Sequence, residues 1–207
     1  MSYLKIAEHY KNCFVEHGDN HLGVDWPNYE DTLKRYKTML ELSNPNELGF
    51  SLLDFGCGTA ALYEYALSNP KQFGNRVVYS GLDINSEFVE ISKEKFPHQT
   101  FYHKDILVDS NIPNFDYIVC NGTFTEKREL SYDEMWEFFT TTITKLWEKC
   151  DKGIAFNLMS KHVDWERDDL FHVSLDELGW FLKNNLSRNF TIRNDYGLYE
   201  YTTYVYK

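Results

Sequence analysis

The segment Phe50-Ser-Leu-Leu-Asp-Phe-Gly-Cys-Gly-Thr-Ala60 constrains the fold most tightly. Its first half is a short apolar run, as a buried strand requires. Its second half turns on two glycines into a helical pattern over 60–67. Glycines at such a handover permit a tight turn and let a ligand approach the backbone, while the helix N-terminus offers free N–H groups. The alternation then continues. Strand patterns at Val77–Asp83, Thr100–His103, Phe115–Cys120 and 153–158 are separated by helix patterns. The helices span 86–96, ended by Pro97, then a long run opened by a Ser131/Glu134 capping box, and 174–186, opened by a second box of Ser174 and Glu177. That order implies an α/β fold with a doubly wound, mostly parallel sheet in three layers, α/β/α. Two closing aromatic, β-branched runs flank Asp195-Tyr-Gly197 and predict an antiparallel hairpin at one side.

Upstream, Ile6, Tyr10 and Phe14 recur at helical spacing before Gly18. A second helix is expected after Asn28, with Leu33, Tyr36 and Leu40 on one face. The 207 residues suit one domain, with 1–45 as an N-terminal helical lid and 46–207 as a ligand-binding core. A net charge of −11 argues against a nucleic-acid partner, which needs clustered Lys and Arg. The four cysteines are scattered, which suggests neither a metal site nor a disulfide framework and fits a reducing cytoplasm. No apolar run is long enough to span a bilayer, and no membrane partner is expected. A monomer or a homodimer is expected, with aromatic residues near Trp136 and Trp147 as either a dimer surface or a core face.

The glycines Gly56 and Gly58, followed by Ala61, also fit a dinucleotide fingerprint. Asp54 moves the reading, because a carboxylate two residues before the first glycine would repel a pyrophosphate and suits a ligand with an ammonium group and a sulfonium centre. The Asp54-Phe55-Gly56-Cys57-Gly58 pattern closely resembles motif I of the class I S-adenosylmethionine (SAM)-dependent methyltransferases, a Rossmann-like family. That family usually has a third glycine where this chain has Ala60.

The resemblance covers about 33–207 and implies SAM as cofactor, S-adenosylhomocysteine as product and no metal. It implies that Asp83, ending the second strand, accepts from the ribose hydroxyls, that Ile84 packs on adenine, and that Asp105 and Ile106 meet the adenine edge. Asn121 would line the methyl-transfer cleft, Trp26 would cover the cofactor, and the closing hairpin is similar to the family's reversed seventh strand.

The acceptor is expected over the C-terminal ends of the strands, surrounded by the loop 17–28, the loop 121–130 and the stretch after the fifth strand. The stretch 157–172 carries Lys161 and Arg167 as candidate anion contacts, Asp164 beside them, and His162 or His172 as candidate bases. His17 is a third candidate base, and Arg128 either steers an anion or is simply exposed. Pattern and size are similar to small bacterial methyltransferases of surface-polysaccharide pathways. That similarity implies O-methylation of a small polar, anionic acceptor: a sugar, a sugar nucleotide or a capsule substituent such as phosphoramidate. A NAD-dependent oxidoreductase and a non-catalytic SAM-binding protein are the competing readings.

Overall fold

In the computed structural model, residues 2–43, 47, 49–70 and 77–207 are described. The lid–core boundary expected at 45/46 lies outside them. The N-terminal part comprises α1 (Leu4–His17), a short 3-10 turn (His21–Val24) and α2 (Tyr29–Leu40). Asn28 caps α2 as expected, its side chain accepting from Glu30 N–H.

The core runs β1 (Phe50–Phe55), α3 (Ala61–Ser68), β2 (Val77–Asp83), α4 (Ser86–Lys95), β3 (Thr100–His103) and β4 (Phe115–Cys120). It continues through α5 (Tyr132–Glu148), β5 (Cys150–Ser160), β6 (His172–Val173), α6 (Leu175–Asn185), β7 (Phe190–Arg193) and β8 (Glu200–Tyr206). The sheet order is β3-β2-β1-β4-β5-β8-β7, with β6 pairing on β5. Strands β1 to β6 pair in parallel, and β8 inserts antiparallel between β5 and β7. This is a Rossmann-like three-layer fold with the expected reversed strand.

Period-two alternation sends neighbouring strand residues to opposite faces. Leu53, Ile118 and Ile154 pack with Phe139 of α5 and Leu178 of α6. Leu52, Val119 and Ala155 pack with Met39 of α2, Leu62 of α3 and Val89 of α4. Strand β1 is therefore apolar on both sides, which is why it reads as a continuous run. Trp136 joins the first of these layers, beside Phe139, Phe171 and Phe181, so the face near it is core.

Two expectations are corrected. Ser131 and Glu134 form the full capping box, but at α6 only Ser174 caps, because Glu177 instead accepts from Tyr132 Oη at 2.6 Å. The expected loop 157–172 is partly sheet: β5 runs on to Ser160 and β6 returns to pair with it. Among the described residues no helix is long and apolar enough to cross a membrane.

Candidate active site

The turn leaving β1 is held on the end of β2, since Gly56 and Cys57 N–H both donate to Leu82 O at 2.8 and 3.1 Å. Gly56 and Gly58 take φ of +74° and +52°, in the region that favours glycine. A methyl group on Gly56 would fall 2.6 Å from Thr123 Oγ1, whereas one on Gly58 would meet nothing within 4 Å. The first glycine is demanded by the protein's own packing, and the second borders open space. Ala60 adopts φ +63° and ψ +31° and is fully buried, so the turn keeps a left-handed third position without glycine. Helix α3 then begins with no side-chain cap, leaving its first N–H groups for an occupant of the cleft.

All eleven residues expected to hold a cofactor line one cleft: Asp54, Phe55, Gly56, Cys57, Gly58, Asp83, Ile84, Asp105, Ile106, Asn121 and Trp26. Asp83 accepts from Gly58 N–H at 2.9 Å and from Asn85 N–H at 2.8 Å, one bond on each oxygen. The Ile84 N–H also acts on this carboxylate, and its remaining lone-pair capacity is left for a ligand. Asp54 is buried and accepts from Tyr79 Oη at 2.8 Å. Burial pushes its carboxyl up to about 7, against the lowering effect of the Tyr79 bond, and the nearby Asp83 raises it further. Asn121 Oδ1 is buried with no hydrogen-bond partner, although Asn121 lines the cleft. Helix α1 closes the near side with its N-cap Tyr3 and with Ile6, Ala7 and Tyr10. Tyr3 stacks on Phe138 at 4.7 Å and donates to Asp105 Oδ2 at 2.6 Å.

Trp26 lines this cleft and also a second cavity beyond it. The second wall carries five acids, Asp25, Asp31, Glu126, Asp164 and Glu200, with Arg35, Arg167, His172 and the exposed rings of Trp165 and Tyr199. Both arginines are neutralised. Arg35 meets Glu200 Oε2 at 2.8 Å while its guanidinium lies 5.0 Å from the Trp26 ring centre, and Arg167 forks onto Asp169 at 3.0 and 2.5 Å. A buried relay continues from Arg35: Asn157 donates to Glu200 Oε1 at 2.9 Å and accepts from Gly122 N–H at 2.8 Å.

The expected acceptor residues divide. Asp164, Arg167 and His172 reach the second cavity; His17, His162, Lys161 and Arg128 line neither. His162 is exposed, and His17 stands at the end of α1 beside Glu16. Lys161 lies over the Tyr132 ring at 5.5 Å. His172 has both ring nitrogens engaged, Nδ1 donating to Ser160 O at 2.6 Å and Nε2 accepting from Arg167 N–H at 3.2 Å. Arg128 is neither a free anion contact nor simply exposed: it meets Asp25, Glu126 and Asp169 at 3.3–3.4 Å and the His9 ring. His9, Cys13 and Asp25 cluster closely enough to suggest a cation, yet this guanidinium already supplies the positive charge there.

Sequence reasoning missed Arg35, Glu200 and His9, and gave no role to Glu126, although it lies in the loop 121–130 expected beside the acceptor. Single charged residues on unrelated elements carry no spacing signal. Asp25 and Asn157 lay within stretches already singled out, without a role.

A family model described as a methyltransferase domain matches residues 53–142. A protein of Mycobacterium tuberculosis (strain ATCC 25618 / H37Rv), provisionally named a methyltransferase, is 29% identical over 161 residues, covering 76% of this chain and 93% of its own. The fold is shared with magnesium protoporphyrin IX methyltransferase from Synechocystis PCC 6803, solved with bound SAH, at a TM-score of 0.69, 12% identity and full coverage of both chains. It is shared as well with a S-adenosylmethionine-dependent methyltransferase from Clostridium acetobutylicum ATCC 824, at a TM-score of 0.58, 15% identity and coverage of 100% and 99%.

Proposed function

We propose that the chain, a class I SAM-dependent methyltransferase, moves a methyl group to a hydroxyl of an uncharged sugar-like acceptor seated in the cavity beyond Trp26. The residues of the first cleft fit SAM. Open space at Gly58 and the uncapped start of α3 suit its carboxylate, and the unpartnered Asn121 Oδ1 suits its ammonium group. Asp83 offers its remaining lone-pair capacity to the ribose hydroxyls, and Ile84 and Ile106 offer apolar faces to adenine. A pyrophosphate would instead face Asp54, Asp83 and Asp105, while the nearby Lys104 is paired with Asp109, which weighs against NAD. When bound, SAM supplies an activated methyl group on a sulfonium.

This chain's residues position and shield the reaction. Helix α1 and the loop to Trp26 act as a lid that excludes water, and Tyr3 fastens that lid to Asp105. Trp26 borders both cavities and so adjoins cofactor and acceptor alike. The observation that carries the acceptor class is the second wall, where carboxylates lie beside exposed Trp165 and Tyr199 and both arginines are already paired. Carboxylates accept from hydroxyls and rings cover apolar sugar faces, whereas a phosphate would find no free cation among these lining residues. An anionic acceptor relying on Lys161 and Arg167 is correspondingly disfavoured, since one lies outside the cavity and the other is bound to Asp169.

Calorimetric titration with SAM, S-adenosylhomocysteine and NAD tests the cofactor, with binding of the two adenosyl ligands alone expected. A turnover screen over neutral sugars, sugar nucleotides and phosphoramidate-bearing sugars tests the acceptor. Methylation of neutral sugars is expected; turnover restricted to the charged classes would overturn the acceptor and leave the cofactor standing. SAM binding without turnover on any of these classes would favour a non-catalytic role.

A further inference from the structure

We propose that Glu126 is the group that takes the acceptor's proton, an inference that rests on the acceptor occupying the second cavity. One loop serves both sites: Asn121, Gly122 and Thr123 line the cofactor cleft, and Thr125 and Glu126 line the acceptor cavity. The loop is pinned where it turns. Glu126 pairs antiparallel with Leu170, Phe171 N–H donates to Thr125 O at 2.8 Å, and Lys127 and Arg128 N–H both donate to Asp169 O. Glu126 is 6% exposed, and its Oε2 has no hydrogen-bond partner.

The other carboxylates of the wall are hydrogen-bonded or open to solvent, whereas Glu126 Oε2 has only the longer ion pairs to Arg128 and His9. Glu200 accepts from Arg35 and Asn157, Asp25 meets His9 at 2.9 Å, Asp31 meets Lys34 at 2.9 Å, and Asp164 is exposed. The three candidate histidines are excluded by position or by their bonds, as His172 shows with both nitrogens in use.

The groups facing Glu126 set its proton affinity. Arg128 Nε lies 3.3 Å and His9 Nε2 3.6 Å from Oε2, with Arg167 adding positive potential and Asp25 and Asp169 negative. Tyr10 and Cys13 of α1 also lie within its field. Burial outweighs the cations and lifts the carboxyl to about 7, where it takes up and releases a proton near working pH. In the step, the acceptor oxygen forms a bond to the methyl carbon as the carbon–sulfur bond breaks. Its electron pair stays on sulfur, and the hydroxyl proton passes to the Glu126 carboxylate. Water later removes that proton. Arg128 and His9 are positioning residues.

The test uses the full chain and its E126Q and E126D variants. Carbon-13 NMR of glutamate-labelled protein, without SAM or acceptor, should show one carboxyl titrating near pH 7 that vanishes in E126Q. A Glu126 carboxyl titrating in the ordinary range overturns the proposal. This readout does not depend on the sugar reading, so the two fail separately. In turnover, E126Q should retain SAM and acceptor affinity within about threefold and lower kcat by roughly 10²–10⁴-fold, flattening the acidic limb of the pH profile. E126D should restore part of the rate. An unchanged kcat with the acidic limb intact also overturns it.

Discussion

A methyl group on Gly122 would lie 2.5 Å from Cζ2 of Trp26, so the turn after β4 and the indole shared by the two cavities are fitted to each other. Gly122 also takes φ +78°. Gly122→Ala should therefore lose about 1–2 kcal/mol to the left-handed backbone alone, and more from displacing the indole. Chemical denaturation should show the loss, and calorimetry a weaker SAM affinity. Native stability and affinity together would mean that Trp26 moves freely and is not held against the turn.

Ala60 gives a contrast within one segment. Removing its buried methyl costs about 0.8 kcal/mol, but glycine relieves roughly 1–2 kcal/mol of left-handed strain. Ala60→Gly should be within about 1 kcal/mol of neutral. Ala66→Gly, in the body of α3 and also buried, gains no such relief and should cost about 1–2 kcal/mol. Paired unfolding curves decide it, and equal losses at both positions would contradict the backbone geometry at Ala60.

Asp83 has two duties, and its variants should separate them. Asp83→Ala leaves the Gly58 and Asn85 N–H groups without their partner and removes the lone pairs offered to a ribose. It should lower the melting temperature and weaken SAM binding at least tenfold, in line with about 1.5–3 kcal/mol for a hydrogen bond to a charged group. Asp83→Asn keeps one acceptor oxygen and should fall between. A lower melting temperature with unchanged SAM affinity would assign Asp83 to the turn alone.

Buried carboxyls give the unliganded protein a falling stability profile. Asp54 and Glu126 both rise to about 7 from ordinary values near 4, so between those pH values the folded chain binds more protons than the unfolded one. Stability then decreases as pH rises through that window, and the loss is complete above about pH 7. Melting temperatures from pH 4 to 8 should show this slope, and Asp54→Asn should flatten it. SAM, carrying positive charge toward Asp54, should bind more tightly at pH 8 than at pH 6. The opposite trend would place its charge elsewhere.

The β1–turn–α3 unit was legible because strand period, glycine spacing and a strand-end acid all fall within a dozen residues. Ten of the eleven cleft residues followed from it, each standing at the end of a strand or in the loop beside one; Trp26 lies apart, in the loop before α2. The capping box at Ser131 was equally local. At Ser174 the same letters mislead, since Tyr132, 45 residues away, claims the Glu177 carboxylate. Strand β6 has two residues and no pattern of its own; only its pairing with Met159 and Ser160 defines it. The second cavity was hidden for the same reason. Its Glu126 is one acid in a polar loop, and its burial depends on α1 and the 169–171 segment folding over it.

The relay from Arg35 through Glu200 and Asn157 to Gly122 also orders events in time. The walls of the first cleft are all made from residues up to 138, whereas the second cavity lacks Glu200 until β8 has threaded between β5 and β7. During synthesis the N-terminal portion emerges first. A nascent chain would then acquire its adenosyl-binding surface well before anything able to hold an acceptor, and competence would arrive only with the final antiparallel insertion.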